Sequence, residues 1–332
     1  MEKYSQFRDR GTGISPFLPS TTPASSIPSS LLHVALFLVR LPLFVSYSVF
    51  YFVVLDHLPV PQFVRKLLLW SLLGIPGIWW VDLQLDGVKR GSLSQQPASR
   101  FPGPRSVIAA QFTSPVDALY LAAIFDPVFV VSYPGTRKVL RVSLLRAILL
   151  ALAPPALAPP PPPAKLTTLR ALLEQNPHRI IAAFPEMTTT NGKGILPLSP
   201  SILGASTGTR IFAISIRYTP PDITTPVPGA YRSFLWTLLS RPTHLIRVRI
   251  AEGLTISTNS DNVFAPSAAD QLANGDNEGD AEGEAQAHVT PEEQAFLDRL
   301  ADAFSRLARN KRVGLTLHDK VAFVEAWGKA KK

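Results

Sequence analysis

From Val81 onward the apolar residues of this chain change period, and that change sets its fold class. "VDLQLDG" (81–87) alternates apolar and polar positions, as a half-buried strand does. Short apolar runs follow: "SVIAAQ" (106–111), "PVFVVSY" (127–133), "RIIAAF" (179–184), "RIFAISIRY" (210–218) and "HLIRVRI" (244–250). Helical segments separate them. Ser114 can cap a helix, with Pro115 at its first position and Asp117 at its third. "TRKVLRVSLLRAILLALA" (136–153) reads as a basic amphipathic helix, with Arg137, Lys138, Arg141 and Arg146 on its polar side. Further helices are expected near 165–175 and 230–240. Strands alternating with helices predict an α/β domain with a largely parallel sheet flanked by helices.

The chain before Val81 is of another kind. Residues 31–55 are apolar, interrupted by Arg40 and by Pro42, which would kink a helix. A second apolar stretch, 67–81, contains Gly74, Pro76, Gly77, Trp79 and Trp80. A span needs about 20 apolar residues. Two broken stretches therefore predict a membrane-associated helical hairpin over 31–80, and Arg65 and Lys66 between them oppose its crossing to the far side. A helical pair buried in a soluble core, or a single span, would fit the same pattern. Residues 1–30 are polar and rich in Pro and Ser, so they are expected to form a flexible segment.

Composition narrows the function. There is no cysteine, which excludes disulfides and thiolate metal sites. Residues 250–298 carry 11 acidic residues and no Lys or Arg, so the rest of the chain has 33 basic against 13 acidic residues, a surplus of 20. No nucleic-acid motif accompanies that charge, and basic segments beside apolar anchors favour anionic membrane surfaces. The acidic stretch 258–289 reads as a disordered insertion within an 81–257 domain, followed by C-terminal helices over 290–332. Thr290 and Glu293 form a capping pair at the first of these helices. "PPALAPPPPPA" (154–164) reads as a polyproline spacer.

Ligands of a parallel sheet gather beyond the carboxyl ends of its strands. Two loops qualify, "QFTSPVD" (111–117) and "FPEMTTTNGKG" (184–194). In the second, Gly192 and Gly194 let the backbone approach an anion, Thr188, Thr189 and Asn191 offer neutral donors, and Lys193 offers a charge. A phosphate fits that inventory, and so does an ordinary turn.

"FPEMTTTNGKG" resembles the Phe-Pro-Glu-Gly-Thr motif of the glycerophospholipid acyltransferases, the 1-acylglycerol-3-phosphate acyltransferase-like family. About seventy residues upstream the family places Asn-His-x-x-x-x-Asp, where this chain has "QFTSPVD"; "IFAISIRYTPPD" (211–222) is similar to its later proline motif. The opening "MEKYSQFRDRGTGISPFLP" and the closing "VGLTLHDKVAFVEAW" look like the fungal lysophosphatidic acid:oleate acyltransferases. The resemblance implies a glycerol-phosphate acyltransferase-like fold. It also implies transfer of a fatty acyl group from acyl-CoA to lysophosphatidic acid or a related lysophospholipid, giving phosphatidic acid. The implied site is a catalytic Asp117 and a substrate-phosphate loop of Glu186, Thr188, Thr189, Asn191, Gly192 and Lys193. No metal or bound cofactor is implied, since acyl-CoA is a co-substrate. The implied place is the endoplasmic reticulum membrane or lipid droplet, with the catalytic domain facing the cytosol.

This chain departs from the family pattern at the base. Gln111 stands for the motif's Asn and Phe112 for its His, and a phenyl ring takes no proton. None of the six histidines is placed to replace it; His178 starts the strand that ends at Phe184, about 20–25 Å from Glu186 at a strand's rise. Met187 replaces a Gly, and Thr189 stands where many members have Arg, which leaves Lys193 as the expected cation. A catalytically impaired lipid-binding protein on the same fold is the alternative.

Overall fold

The computed structural model of the chain describes residues 2–20, 27–89, 91–160, 165–256 and 289–331. The strands, in chain order, are β1 (Trp80–Leu85), β2 (Val107–Ala110), β3 (Val128–Ser132), β4 (Val139–Val142), β5 (Leu166–Thr167), β6 (Ile181–Ala183), β7 (Gly194–Ile195), β8 (Arg210–Thr219), β9 (Leu245–Ile250), β10 (Leu254–Thr255) and β11 (Lys311–Arg312). The helices are α1 (Ile27–Val53), α2 (Gln62–Gly74), α3 (Pro115–Phe125), α4 (Leu144–Leu150), α5 (Leu169–Gln175), α6 (Tyr231–Ser240), α7 (Pro291–Ala308) and α8 (Leu317–Lys331).

The strands form a mixed nine-stranded sheet in the order β1-β9-β8-β2-β6-β3-β4-β5, with β10 added on β8; β7 and β11 pair separately. Its centre, β8-β2-β6-β3, is parallel, while β4, β5 and the β8–β9 pair run antiparallel. Strand β2 shows why the centre is two-sided. Ile108 and Ala110 face the layer of α1, α2, α3, α4 and α6, and Val107 and Ala109 face that of α5 and α7. Ala109 pairs with Ala183, so the chain leaves β2 and β6 side by side at one sheet edge. Both candidate loops start there.

The stretch 136–153, expected as one amphipathic helix, divides in two. Val139 and Val142 are buried in β4 with Arg141 exposed between them, and the Ser143 side chain caps α4 by accepting from the Arg146 N–H at 3.3 Å. β-Branched Val139 and Val142, with pairing to β3 on one side and β5 on the other, outweigh the helical spacing.

Helices α1 and α2 form the expected pair, with α1 continuing through Pro42. Arg40 is not a gap in the apolar run but a fastener, donating to the carbonyls of Arg241 (2.5 Å) and Pro242 (3.1 Å) after α6. Arg65 lies in the first turn of α2 and reaches Asp56 at 2.9 Å and Asp126 at 3.5 Å. The pair is thus held to the domain along its length, while Leu31, Leu38, Val39, Val53, Phe63, Trp79 and Trp80 remain exposed. Among the described residues one stretch, Ser29–His57, is long and apolar enough to cross a membrane.

Residues 1–30, expected to be loose, contain a packed segment. Phe7 and Phe17 are buried against Phe323 of α8, at ring-centroid distances of 5.3 and 5.9 Å. Aromatic residues spaced among polar ones anchor the segment without any periodic signal. The acidic insertion expected over 258–289 lies outside the described residues up to 288, as do 161–164 of the polyproline spacer.

Candidate active site

The first loop gathers donors around one carboxylate. Asp117, fully buried at the third position of α3, accepts through Oδ2 from the Thr113 N–H (2.6 Å), the Thr113 hydroxyl (3.0 Å) and the Ser114 N–H (2.8 Å). Its Oδ1 accepts from the Tyr218 hydroxyl. The Ser114 hydroxyl accepts from the Val116 N–H at 3.3 Å, completing the helix start read from the sequence. Burial pushes Asp117 up to about 6 against the pull of those four donors, so it is ionised at neutral pH. Gln111 Oε1 accepts from the Ser215 hydroxyl at 2.6 Å. Phe112 is stacked on Phe184, centroids 4.3 Å apart, so an aromatic pair occupies the place of the family's base.

The second loop treats its carboxylate differently. Glu186 is equally buried, but Oε2 accepts one long bond, from the Leu196 N–H at 3.4 Å, and Oε1 has no partner. Burial, with the Asp117 charge adding to it, raises Glu186 to about 8. At neutral pH it is a neutral acid, able to donate a hydrogen bond to an anionic oxygen. Met187 follows with φ of 60°, the left-handed conformation that glycine takes without strain and that explains glycine at this place in the family motif.

The remaining loop residues do not converge on one point. Thr188 is buried and lines a small cavity of about 60 Å³ with Phe112, Phe184 and Met187. The Thr189 hydroxyl donates to the Thr225 carbonyl at 2.7 Å. Asn191 donates to the Ser15 and Leu18 carbonyls, both at 2.8 Å, and so clamps the N-terminal segment. Gly192 has φ of 69° and donates to the Thr190 hydroxyl at 3.2 Å. Lys193 is exposed and lines an outer cavity with Tyr4, Arg8 and Trp327, away from Glu186. Gly194 admits no side chain, because a Cβ there would meet Val313 at 2.9 Å.

The cation held against this loop is Lys320 of α8, which the sequence reading missed. It is fully buried, donates to the Thr189 carbonyl at 3.0 Å and to the Pro226 carbonyl, and lies 4.9 Å from the centroid of the Phe17 ring. Burial lowers it to about 7. A signal was available: Lys320 shares a helical stripe with Leu317, Val324 and Trp327, at the spacing of a buried face.

Beside the site runs an apolar cavity of about 380 Å³. It is lined by Phe44 and Phe52 of α1, Leu72 of α2, Ile148 of α4 and Phe234 of α6, and it reaches Pro115 and Val116. Asp117 is the next residue. Of the described histidines, His244 is buried with Nε2 at 2.9 Å from the Leu238 carbonyl, and none bonds to Asp117 or Glu186.

No protein-family model matches the chain. It is 28% identical over 272 residues to the Schizosaccharomyces pombe protein named "Putative lysophosphatidic acid:oleoyl-CoA acyltransferase", covering 79% of this chain and 88% of that protein. It is 27% identical over 204 residues to "Lysophosphatidic acid:oleoyl-CoA acyltransferase 1" of Saccharomyces cerevisiae, covering 60% of this chain and 61% of that protein. Among solved structures it aligns with the 1-acyl-sn-glycerophosphate acyltransferase PlsC of Thermotoga maritima at a TM-score of 0.37 and 15% identity, over 71% of this chain and 90% of that chain. The resemblance to fungal lysophosphatidic acid:oleate acyltransferases read from the motifs thus extends across most of the chain.

Proposed function

We propose that this chain is a membrane-associated acyltransferase that moves a fatty acyl group from acyl-CoA to lysophosphatidic acid, giving phosphatidic acid. The acceptor's hydroxyl oxygen attacks the thioester carbonyl, the C–S bond breaks, and the hydroxyl proton ends on the departing sulfur, so that CoA leaves as its thiol. One observation carries the reading beyond the names of the relatives. The apolar cavity has Pro115 and Val116 in its wall, the two residues before the buried Asp117, so a fatty acyl chain lying in it runs past the start of α3. The exposed apolar face of α1 and α2 would seat the protein on the cytosolic side of the endoplasmic reticulum or on a lipid droplet, where both lipid substrates reside.

In this reading neutral Glu186 donates from its unpartnered oxygen to the acceptor phosphate, with the Thr188 hydroxyl beside it. Asp117, held by four donors, fixes the turn from β2 into α3 and, unlike Glu186, is ionised at neutral pH. Phe112 supplies no base, so the rate rests on positioning of the two substrates rather than on a strong proton acceptor. The cavity at Thr188, about 60 Å³ and walled in part by residues 154–156, is far smaller than a typical ligand site.

The Phe112–Phe184 stack favours one second reading, a lipid-binding protein on the acyltransferase fold that has lost turnover. Transfer from labelled oleoyl-CoA to lysophosphatidic acid by the purified full-length protein in liposomes decides between them, with Glu186→Ala as control. Product that the control lacks supports the enzyme. Bound lysophosphatidic acid without product, together with product appearing in Phe112→His, supports the second reading.

A further inference from the structure

Another cavity, of about 510 Å³, lies at the other end of α3. Asp117 is in the first turn of that helix and Asp126 follows its last residue, so the two ends are about 14 Å apart at the helical rise. Arg65, Arg141, Lys165 and Arg179 line the cavity, against Asp56 and Asp126. Arg65 pairs with Asp56 at 2.9 Å and with Asp126 at 3.5 Å, and Arg179 pairs with Asp126 at 3.2 Å. Arg141 and Lys165 are exposed and pair with no carboxylate among the described residues, which leaves the cavity two positive charges in excess.

Two buried donors in this cavity also lack an acceptor. Arg179 Nε has no hydrogen-bond partner, and the Tyr51 hydroxyl, on a residue 1% exposed, has beside it only the Arg65 guanidinium, itself a donor. Buried donors are nearly always satisfied, so these two mark a place where an acceptor belongs. Four cations and a hydroxyl around one space suit a multiply charged tetrahedral anion better than a single carboxylate. The surroundings locate its source. Val53, Val54, Leu58 and Phe63, at the turn from α1 to α2, are exposed beside Asp56 and Arg65. An apolar rim next to a cationic pocket is the arrangement that meets a phosphate at a bilayer surface.

We propose that this cavity is a second anion site, separate from the acceptor loop, which binds a phosphate group, with the headgroup of an anionic phospholipid as the favoured source. It does not depend on acyl transfer, because the acceptor loop lies at the opposite end of α3.

The test uses full-length protein in neutral detergent micelles. The probes are micelles doped with dioleoylphosphatidylglycerol, dioleoylphosphatidylcholine as the neutral control, and pyrophosphate in undoped micelles. Arg141→Gln combined with Lys165→Gln is expected to weaken binding of phosphatidylglycerol about tenfold, as loss of two cations at a lipid surface does, at unchanged Tm. Tyr51→Phe weakens it about threefold, the loss of one hydrogen bond to an anion. Glu186→Ala leaves it unchanged, which separates this site from the acceptor loop. Pyrophosphate binding with the same dependence assigns the site to a soluble phosphate; its absence assigns the site to the headgroup. Lys89→Gln with Lys311→Gln removes equal charge elsewhere. An equal loss in that control pair, or no loss in the Arg141 and Lys165 pair, overturns the proposal.

Discussion

The loops that end β2 and β6 lie side by side, and each buries one carboxylate, but they satisfy it very differently. Asp117 has four donors on two oxygens, whereas Glu186 has one long bond and a free oxygen. The first arrangement is what a chain uses to fix its own turn. The second is incomplete without something else, and an unsatisfied buried oxygen costs on the order of 1–3 kcal/mol. The contrast separates a carboxylate that holds its own turn from one left with an unpartnered oxygen.

The largest expected effect is functional. Glu186→Ala should lower kcat/KM for acyl transfer by about tenfold to a hundredfold, the scale of losing one hydrogen bond to a charged group, while urea unfolding moves by less than about 1 kcal/mol because little is bonded to it. Glu186→Gln keeps a neutral donor and should retain acyl transfer within about tenfold of wild type at pH 7.

The reverse pattern is expected at the other loop. Asp117→Ala leaves the Thr113 and Ser114 N–H groups and the Tyr218 hydroxyl without an acceptor, and should lower the unfolding free energy by roughly 3–5 kcal/mol. If the two alanine variants lose stability equally, the comparison between the loops breaks.

Lys320 sharpens it. Its removal leaves the Thr189 and Pro226 carbonyls without their donor, so Lys320→Met should cost about 2 kcal/mol in urea unfolding and raise KM for the acceptor more than it lowers kcat.

The pH dependence follows from linkage. Glu186 rises from an ordinary 4.5 to about 8 on folding. Between those values the folded chain binds more protons than the unfolded one, so its contribution to stability falls as pH rises. The Tm of Glu186→Gln minus that of wild type should therefore grow from pH 5 to pH 9, read by calorimetry. The smallest effect is at Met187, where φ of 60° costs a non-glycine residue about 1 kcal/mol and glycine's chain entropy returns part of it. Met187→Gly should raise stability by about 0.5 kcal/mol.

The sheet was legible because its central strands are buried on both faces and read as short apolar runs, and the α3 start was legible because Ser114, Pro115 and Asp117 each fill a position with its own chemistry. The loop 184–194 was legible in composition but not in the partners its side chains take. Nothing in "TTTNGKG" says that Thr189 and Asn191 spend their donors on Thr225 and on the N-terminal segment, since both partners are distant in sequence. Lys193 looked like the loop's cation because it is adjacent in sequence, yet Lys320, over a hundred residues later, is the one buried against the loop. The free oxygen of Glu186 was also beyond reach, because satisfaction of a buried group depends on what the fold brings to it.

The most direct test is KM for lysophosphatidic acid against pH, from pH 6 to about 9.5, spanning the Glu186 titration, in wild type and Glu186→Gln, with product identified by mass spectrometry. The account predicts phosphatidic acid from both proteins, with KM rising above about pH 8 in wild type as Glu186 ionises and staying flat in the glutamine variant. A glutamine variant that makes no product at any pH, or a wild-type KM that does not change across that range, would contradict it.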